Sequence, residues 1–470
     1  MKNIFLYMFL TLVVGIIAKS LFLSIDIPTI LIILMLVASL IFKNYLKLTI
    51  LFLAVFLLGI SITPKKLNPR LIPESKLVFI ECKVSSFPQA YYYKYRFNCI
   101  VLNSTLKELK NYSIYVVSKY KPNMFSDIYT IGKLKEKHEK LLFYVEPSFI
   151  KEEKFNLILP FLNFRQMLIQ KFKEKTLNEK TFAIGSALIF GDKSYLDRDT
   201  KRAFINTGLI HLLAISGLHI AIITAILVFL ISFFNKRLSY IISIIFLIIY
   251  PLIAGFNIPV VRSSFMGILY LYGKIRYLSI NTLNLLFFTG FVFLFFSPLS
   301  IYSIGFQLSF LAVLGLILSK DIINVDIKNK LSRYLIQSLI VSFIATLWTM
   351  PVIIYYFHQF SPTSIFATTA EIGIIIPYLF LSVINLFTGF LFEPIVNLMD
   401  SIGILFLQSV KFFANLEILN NKLNLNIFWL IMFYSALLYI TLKVKKYTLI
   451  FYLLMFILIL TVSNFDYPPN

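Results

Sequence analysis

The stretch from Leu209 to Phe234, LIHLLAISGLHIAIITAILVFLISFF, decides the fold class. It is apolar almost throughout and exceeds the roughly 20 residues with which an α-helix crosses a hydrocarbon slab. Yet it contains His211 and His219, with Ser216 and Gly217 between them. Hydrocarbon offers a polar group no partner, so such groups face protein or water. The stretch therefore reads as one membrane span that turns a polar stripe toward other helices.

Similar runs flank it. Ile4 to Leu23, Pro28 to Phe42 and Leu46 to Thr63 come before. Leu238 to Ala254, Pro259 to Gly273, Thr282 to Ser297, Ser300 to Ser319, Arg333 to Phe357 and Ser364 to Leu391 follow, and Leu425 to Leu442 and Tyr447 to Val462 close the series. Glu393 to Ile418 is interrupted by Lys411, and it must cross once if Lys443, Lys445 and Lys446 are to stay inside. Of the 470 residues 59% are hydrophobic and 14% charged, with mean hydropathy +0.84, which excludes a soluble globular protein. The expected class is mainly α, a polytopic transmembrane helical bundle, with N-terminal helices in residues 1–63 and the principal helical domain in 181–463. No small-residue cleavage pattern follows the first run, so it reads as a retained helix.

Lys and Arg number 44 against 22 Asp and Glu, a net charge of +22. Part of the excess is topology: with the first helix starting inside, Lys43, Lys47, Lys236, Arg237, Lys274, Arg276, Lys320 and Lys328 all fall inside. The count delivers the hydrophilic segment 64–158 to the outer side. That segment carries an excess of roughly +8, which suits a polyanion. Its short alternating stretches, Leu77 to Val84, Tyr95 to Val101 and Tyr112 to Val117, predict a small extracytoplasmic β domain, an OB-like barrel or a small sandwich. Tyr91, Tyr92 and Tyr93 beside Lys94 and Arg96 suit base stacking and phosphate contact, or equally a hairpin resting on the bilayer surface. Cys82 and Cys99 fall on these strands, where a hairpin turning near Ala90 would set them opposite each other; a disulfide and two buried thiols both fit. In residues 159–180, Arg165, Lys171, Lys173 and Lys175 accompany Phe164, Leu168, Ile169 and Phe172, as in an interfacial amphipathic linker helix or a packed connector.

Gly191-Asp192-Lys193, followed by the run from Asn206 through Gly208, His211, Ser216, Gly217 and His219 to Ile220, resembles the signature of the ComEC family of competence proteins. Two further stretches agree in order and spacing: Pro259 to Met266 around Arg262, and Ser297-Pro298 followed by Gly305 to Val313 with Gln307 and Ser309. The resemblance covers nearly the whole chain. It implies a bacterial inner-membrane, multi-pass channel that conducts single-stranded DNA into the cytoplasm during natural transformation. It also implies an extracytoplasmic DNA receptor and cytoplasmic DNA-handling proteins as partners, beside membrane lipids. Fuller members of the family end in a metallo-β-lactamase-like domain; here the last span is followed by only about seven residues, and no His/Asp cluster stands there, so this reads as a short form without nuclease activity. An Asn expected near Thr368 and Thr369 is missing.

Burying Arg262 in hydrocarbon costs about 2.5 to 3.5 kcal/mol or more. Pro259 fits the first turn of its helix, so Arg262 lies near a helix N-terminus that already favours an anion, a place for a visiting phosphate or a lipid headgroup. Across a continuous helix His211 and His219 stand about 12 Å apart, too far for one metal ion. No metal, cofactor or catalytic residue is expected, and the protein is expected not to be an enzyme. Asp192, His211, Ser216, Gly217, His219, Arg262, Gln307 and Ser309 are the candidates for a DNA path, the helical ones in the outer half of the membrane and lining one vestibule. Two other readings use the same residues: a transporter of another polyanion or a lipid-linked substrate, and an intramembrane hydrolase acting through Ser216 and His219.

Overall fold

The computed structural model describes residues 4–21, 44–62, 77–84, 89–91, 94–106, 109, 113–120, 122, 126–137, 140–153, 159–213, 215–255, 258–416, 423, 425–443 and 448–465. The span read at Pro28 to Phe42 lies outside them. The rest is a mainly helical protein carrying one small β barrel.

The barrel uses β1 (Leu77–Val84), β3 (Lys94–Ser104), β4 (Ser113–Ser118), β5 (Asp127–Lys137) and β6 (Lys140–Glu153), with β2 (Gln89–Tyr91) added to β3 as a hairpin arm. Going round it, β1 pairs with β3, β3 with β4, β4 with β6, β6 with β5 and β5 with β1. Only β4 and β6 run parallel. Closure with this order is OB-like, as expected from the sequence, and removes the exposed edge a small open sheet would present. Alternation fills the interior: Val78, Ile80, Cys82, Phe97, Cys99 and Val101 are buried, while Phe79 and Ile100 point outward. Gly132 sits where the β5–β6 register shifts, against the Tyr144 carbonyl, and a Cβ there would collide with backbone.

Cys82 and Cys99 form a disulfide inside the barrel, with Cα atoms 5.7 Å apart. The register corrects one detail. Cys82 lies opposite Val101 and Cys99 opposite Val84, so the cysteines are diagonal neighbours, with a bulge just beyond them at Glu81/Cys82. Ala90 is inside β2, paired with Tyr95, and the hairpin turns between Tyr91 and Lys94.

The helices are α1 (Ile4–Leu21) and α2 (Asn44–Ile62), then α3 (Leu159–Lys175), α4 (Glu179–Phe190), α5 (Arg198–Asn206), α6 (Gly217–Ser232), α7 (Lys236–Ile253) and α8 (Ile258–Ile275). After them come α9 (Thr282–Phe296), α10 (Ile304–Leu318), α11 (Lys320–Ile323), α12 (Lys330–Phe357), α13 (Ser364–Thr388), α14 (Glu393–Asn415), α15 (Ile427–Lys443) and α16 (Thr448–Phe465). Among the described residues α7, α12, α13 and α14 are long and apolar enough to cross a membrane, and shorter apolar helices accompany them; this is a multi-pass membrane protein. Within the stretch read at Glu393 to Ile418, Glu393–Asn415 is one such helix, and Lys411 does not break it.

One expectation changes. The stretch from Leu209 is not one helix: Leu209–His211 is a 3-10 turn, and α6 begins only at Gly217. For the helix with cationic residues, read as an interfacial linker or a packed connector, the contacts place one side against the bundle. In α3, Arg165, Ile169 and Phe172 are buried against α4, which is itself buried along nearly its whole length; only the opposite side, with Phe164 and Lys173, is exposed. Sequence alone spread these cations over one face, whereas the tertiary contact turns Arg165 inward.

One end of the bundle gathers the starts of α6, α8 and α13. A Cβ on Gly217 would lie 2.8 Å from Ser263 Oγ, and one on Gly208 would lie 3.0 Å from Ser364 Cβ. By chain direction Lys236, Arg237, Lys274, Arg276 and Lys330 stand at the other end.

Candidate functional site

Ser216 is the N-cap of α6. Its backbone N–H donates to His219 Nδ1 at 3.1 Å, and its Oγ lies 2.8 Å from the same nitrogen. This is a capping box with histidine in the place usually held by Glu or Gln. Since Nδ1 accepts the amide, the ring proton of the neutral imidazole is assigned to Nε2. That nitrogen is buried without a hydrogen-bond partner, in a side chain only 1% exposed.

On the neighbouring helix, Arg262 stands one turn into α8 at 5% exposure, and its Nη1 is buried without a hydrogen-bond partner. Ser263 turns back to donate to the Pro259 carbonyl at 2.8 Å, and the Ser264 hydroxyl is buried and unpartnered. Gly217 is explained by packing: without a side chain it lets the starts of α6 and α8 touch at Ser263. Two helix N-termini thus meet beside a guanidinium whose Nη1 is unpartnered.

The remaining candidates divide. α8 packs against both α6 and α10, so Arg262 belongs to a helix between His219 and Gln307. Gln307 Nε2 donates to the Ile301 carbonyl at 2.9 Å, holding α10 to the 3-10 turn Pro298–Tyr302. Ser309 is two residues on and occupies a different face of α10, so the two do not line one wall. His211 is exposed, with Nδ1 3.0 Å from the Gly208 carbonyl, and its ring is close enough to His219 for the two charges to interact. The 12 Å helical spacing does not apply because the helix is broken between them, but no His/Cys/Asp/Glu cluster able to hold a metal occurs among the described residues.

Asp192 lies elsewhere. It accepts from the Ser194 amide at 3.0 Å and hydroxyl at 2.6 Å, and stands 3.8 Å from the Arg165 guanidinium. Arg165 in turn donates to the Phe190 carbonyl at 3.1 Å and the Ile253 carbonyl at 2.8 Å, the ends of α4 and α7. Arg165 and Asp192 therefore clamp the corner from which α8 departs, where cations suit helix C-termini. Beside them, burial first and then the charge of Lys201 pull the Lys193 ammonium pKa down.

On the barrel, Lys94 is exposed at the start of β3, and Arg96 shares the outward side of that strand with Asn98, which pairs with Tyr115 of β4. Tyr91 closes the hairpin opposite Lys94; Tyr92 and Tyr93 lie outside the described residues.

Sequence reading missed Glu371, fully buried at 0% exposure on α13. Its signal was plain: it is the one acid in the run from Ser364 to Leu391. It also missed the buried Asp400 of α14, which accepts from Thr181 and Leu177.

The family described as competence protein matches residues 188–447, more than half of the chain and all of the α6–α8 corner. An uncharacterised protein of Aquifex aeolicus is 33% identical over 282 residues, 59% of this chain and 66% of that protein. ComE operon protein 3 of Bacillus subtilis is 34% identical over 206 residues, 43% of this chain and 26% of its own. Recombination protein 2 of Haemophilus influenzae is 31% identical over 155 residues, 30% of this chain and 19% of its own. The chain thus spans less than two thirds of the length of these curated relatives. No solved structure matches it.

Proposed function

Because this chain belongs to the ComEC family of competence proteins, we propose that it conducts single-stranded DNA across the bacterial inner membrane, past the corner where α6 meets α8. The observation that carries the reading is Arg262, buried at a helix start with Nη1 unpartnered. A cation gains nothing from a helix N-terminus, so a site that assembles both is built for an anion that comes and goes. A single such contact also suits conduction, since a tight series of them would stall a polyphosphate.

The β barrel lies on the outer side in this reading. The basic residues at the end of the bundle away from the α6–α8 corner support that sidedness, and the Cys82–Cys99 bond fits an oxidising compartment. Lys94, Arg96 and the tyrosines near them then capture the strand without reading sequence, as OB-like surfaces can. An outer DNA receptor and cytoplasmic DNA-handling proteins complete the route, and the chain itself is not an enzyme.

The hydrolase reading draws on the 2.8 Å approach of Ser216 Oγ to His219 Nδ1. The same nitrogen already takes the Ser216 amide, and no carboxylate orients Nε2, so the capping box accounts for the pair. The decisive experiment follows labelled DNA in a deletion strain through surface binding, uptake and arrival in the cytoplasm. Loss at the last step alone supports a channel; loss at binding, or no loss, overturns it.

A further inference from the structure

Glu371 sits two turns into α13, and neither carboxyl oxygen has a hydrogen-bond partner. Its polar neighbour is Ser409 on α14. The titratable groups on the surrounding elements are engaged elsewhere. His211, on the turn before α6, contacts the Gly208 carbonyl, and His219 on α6 is taken by Ser216. On α14, Asp400 is taken by Thr181 and Leu177, while Lys411 lines an outer groove with Asp199 and Arg202 and Glu393 is exposed at the helix start. On α12, Lys330, Arg333 and Tyr334 lie at the far end, and Tyr356 and His358 are exposed at the near one, with Tyr355 packed on Tyr356.

A lone carboxylate in such surroundings costs more than a fold can absorb, and the group neutralises instead. The position of α13 links that neutrality to the passage. Its start touches Gly208, and it packs against both the 3-10 turn and α6, so it backs the corner that holds His219.

We propose that Glu371 is a proton-binding site: it holds a proton while the bundle is closed and releases it to water when the strand passage opens. The inference rests on the channel reading for its link to transport, though not for the protonated carboxyl itself. The proton comes from water and returns to water, so no co-reactant is needed. Since opening releases a proton, acid favours the closed bundle.

The test compares wild type, Glu371→Gln and Glu371→Asp in the deletion strain, measuring DNA import from neutral to acidic medium. Protein amount and the Cys82–Cys99 bond are checked on non-reducing gels. Wild-type import is expected to fall on acidification, by up to about tenfold per pH unit across the titration. Glu371→Gln should stay near the acid-limited wild-type level with a flat profile, and Glu371→Asp should keep the slope. Infrared spectra of the purified full chain in lipid give a readout independent of import: a protonated-carboxyl band in wild type at neutral pH, lost in Glu371→Gln. A Gln variant that imports like wild type at every pH, or an unchanged band, overturns the proposal. Undiminished import in the deletion strain defeats the channel reading instead, and the infrared band then decides Glu371 alone.

Discussion

The Thr181 hydroxyl of α4 donates to the Asp400 carboxylate of α14 at 2.8 Å, joining positions 219 residues apart. The other carboxylate oxygen takes the Leu177 amide at 2.7 Å, so one side chain closes the turn between α3 and α4. An anion there also faces the free N–H groups at the start of α4. Gly403, nearby on α14, allows the approach, since a Cβ would lie 2.9 Å from Thr181 Cγ2.

Replacing Asp400 by Ala removes the acceptor of the Leu177 amide and leaves the Thr181 hydroxyl only the Asn178 carbonyl. The expected loss is about 1.5–3 kcal/mol, that of a hydrogen bond to a charged group. Asp400→Asn keeps an acceptor and should lose less. Thermal unfolding of the purified protein in detergent measures both, and an unchanged midpoint for Asp400→Ala contradicts the assignment.

Ser216→Ala removes the hydroxyl but keeps the backbone amide that His219 Nδ1 accepts. The cost should be that of a weakened helix cap, about 1 kcal/mol, with DNA import retained. Complete loss of import, with the protein present at normal amounts, would instead favour the hydrolase reading.

Much of this was legible in advance. Runs of apolar residues announced the bundle because hydrocarbon punishes polar backbone and side chains along the whole length of a span. Strand alternation announced the barrel, and Gly217 and Arg262 stood out as polar or small residues in apolar company. What escaped was set by long-range contact. Whether Arg165 faces lipid headgroups or the α4 and α7 carbonyls depends on residues far away in the chain, which periodicity does not encode. The break before Gly217 escapes because an apolar run reads alike as helix or as buried turn; only the capping pair Ser216 and His219 carries the boundary, and a spacing of three suits a helix interior as well as a cap.

The disulfide predicts a stability effect confined to the barrel. Cys82 and Cys99 are 17 residues apart, and cross-linking a loop of that size stabilises by about 3 kcal/mol in the chain-entropy account. Replacing both by Ser should make the segment between α2 and α3 sensitive to protease and leave the helical bundle intact. Equal protease resistance with and without the bond contradicts this.

Arg262 gives the sharpest test of the anion site. Arg262→Gln keeps polarity and much of the side-chain volume but removes the charge and the fork of donors. If a phosphate occupies the site in passing, import should fall about ten- to a hundredfold, the equivalent of the roughly 1.5–3 kcal/mol of a charged hydrogen bond. Arg262→Lys restores the charge without the bidentate fork and should recover import in part, most fully at low salt, where a point charge is least screened. A guanidinium that only braces α6 against α8 predicts the opposite order: Gln, which is neutral and easier to bury, would then outperform Lys, and the melting temperature would track import. Measuring import and thermal stability on the same variants separates the two, because an anion site lets import fall while the fold holds.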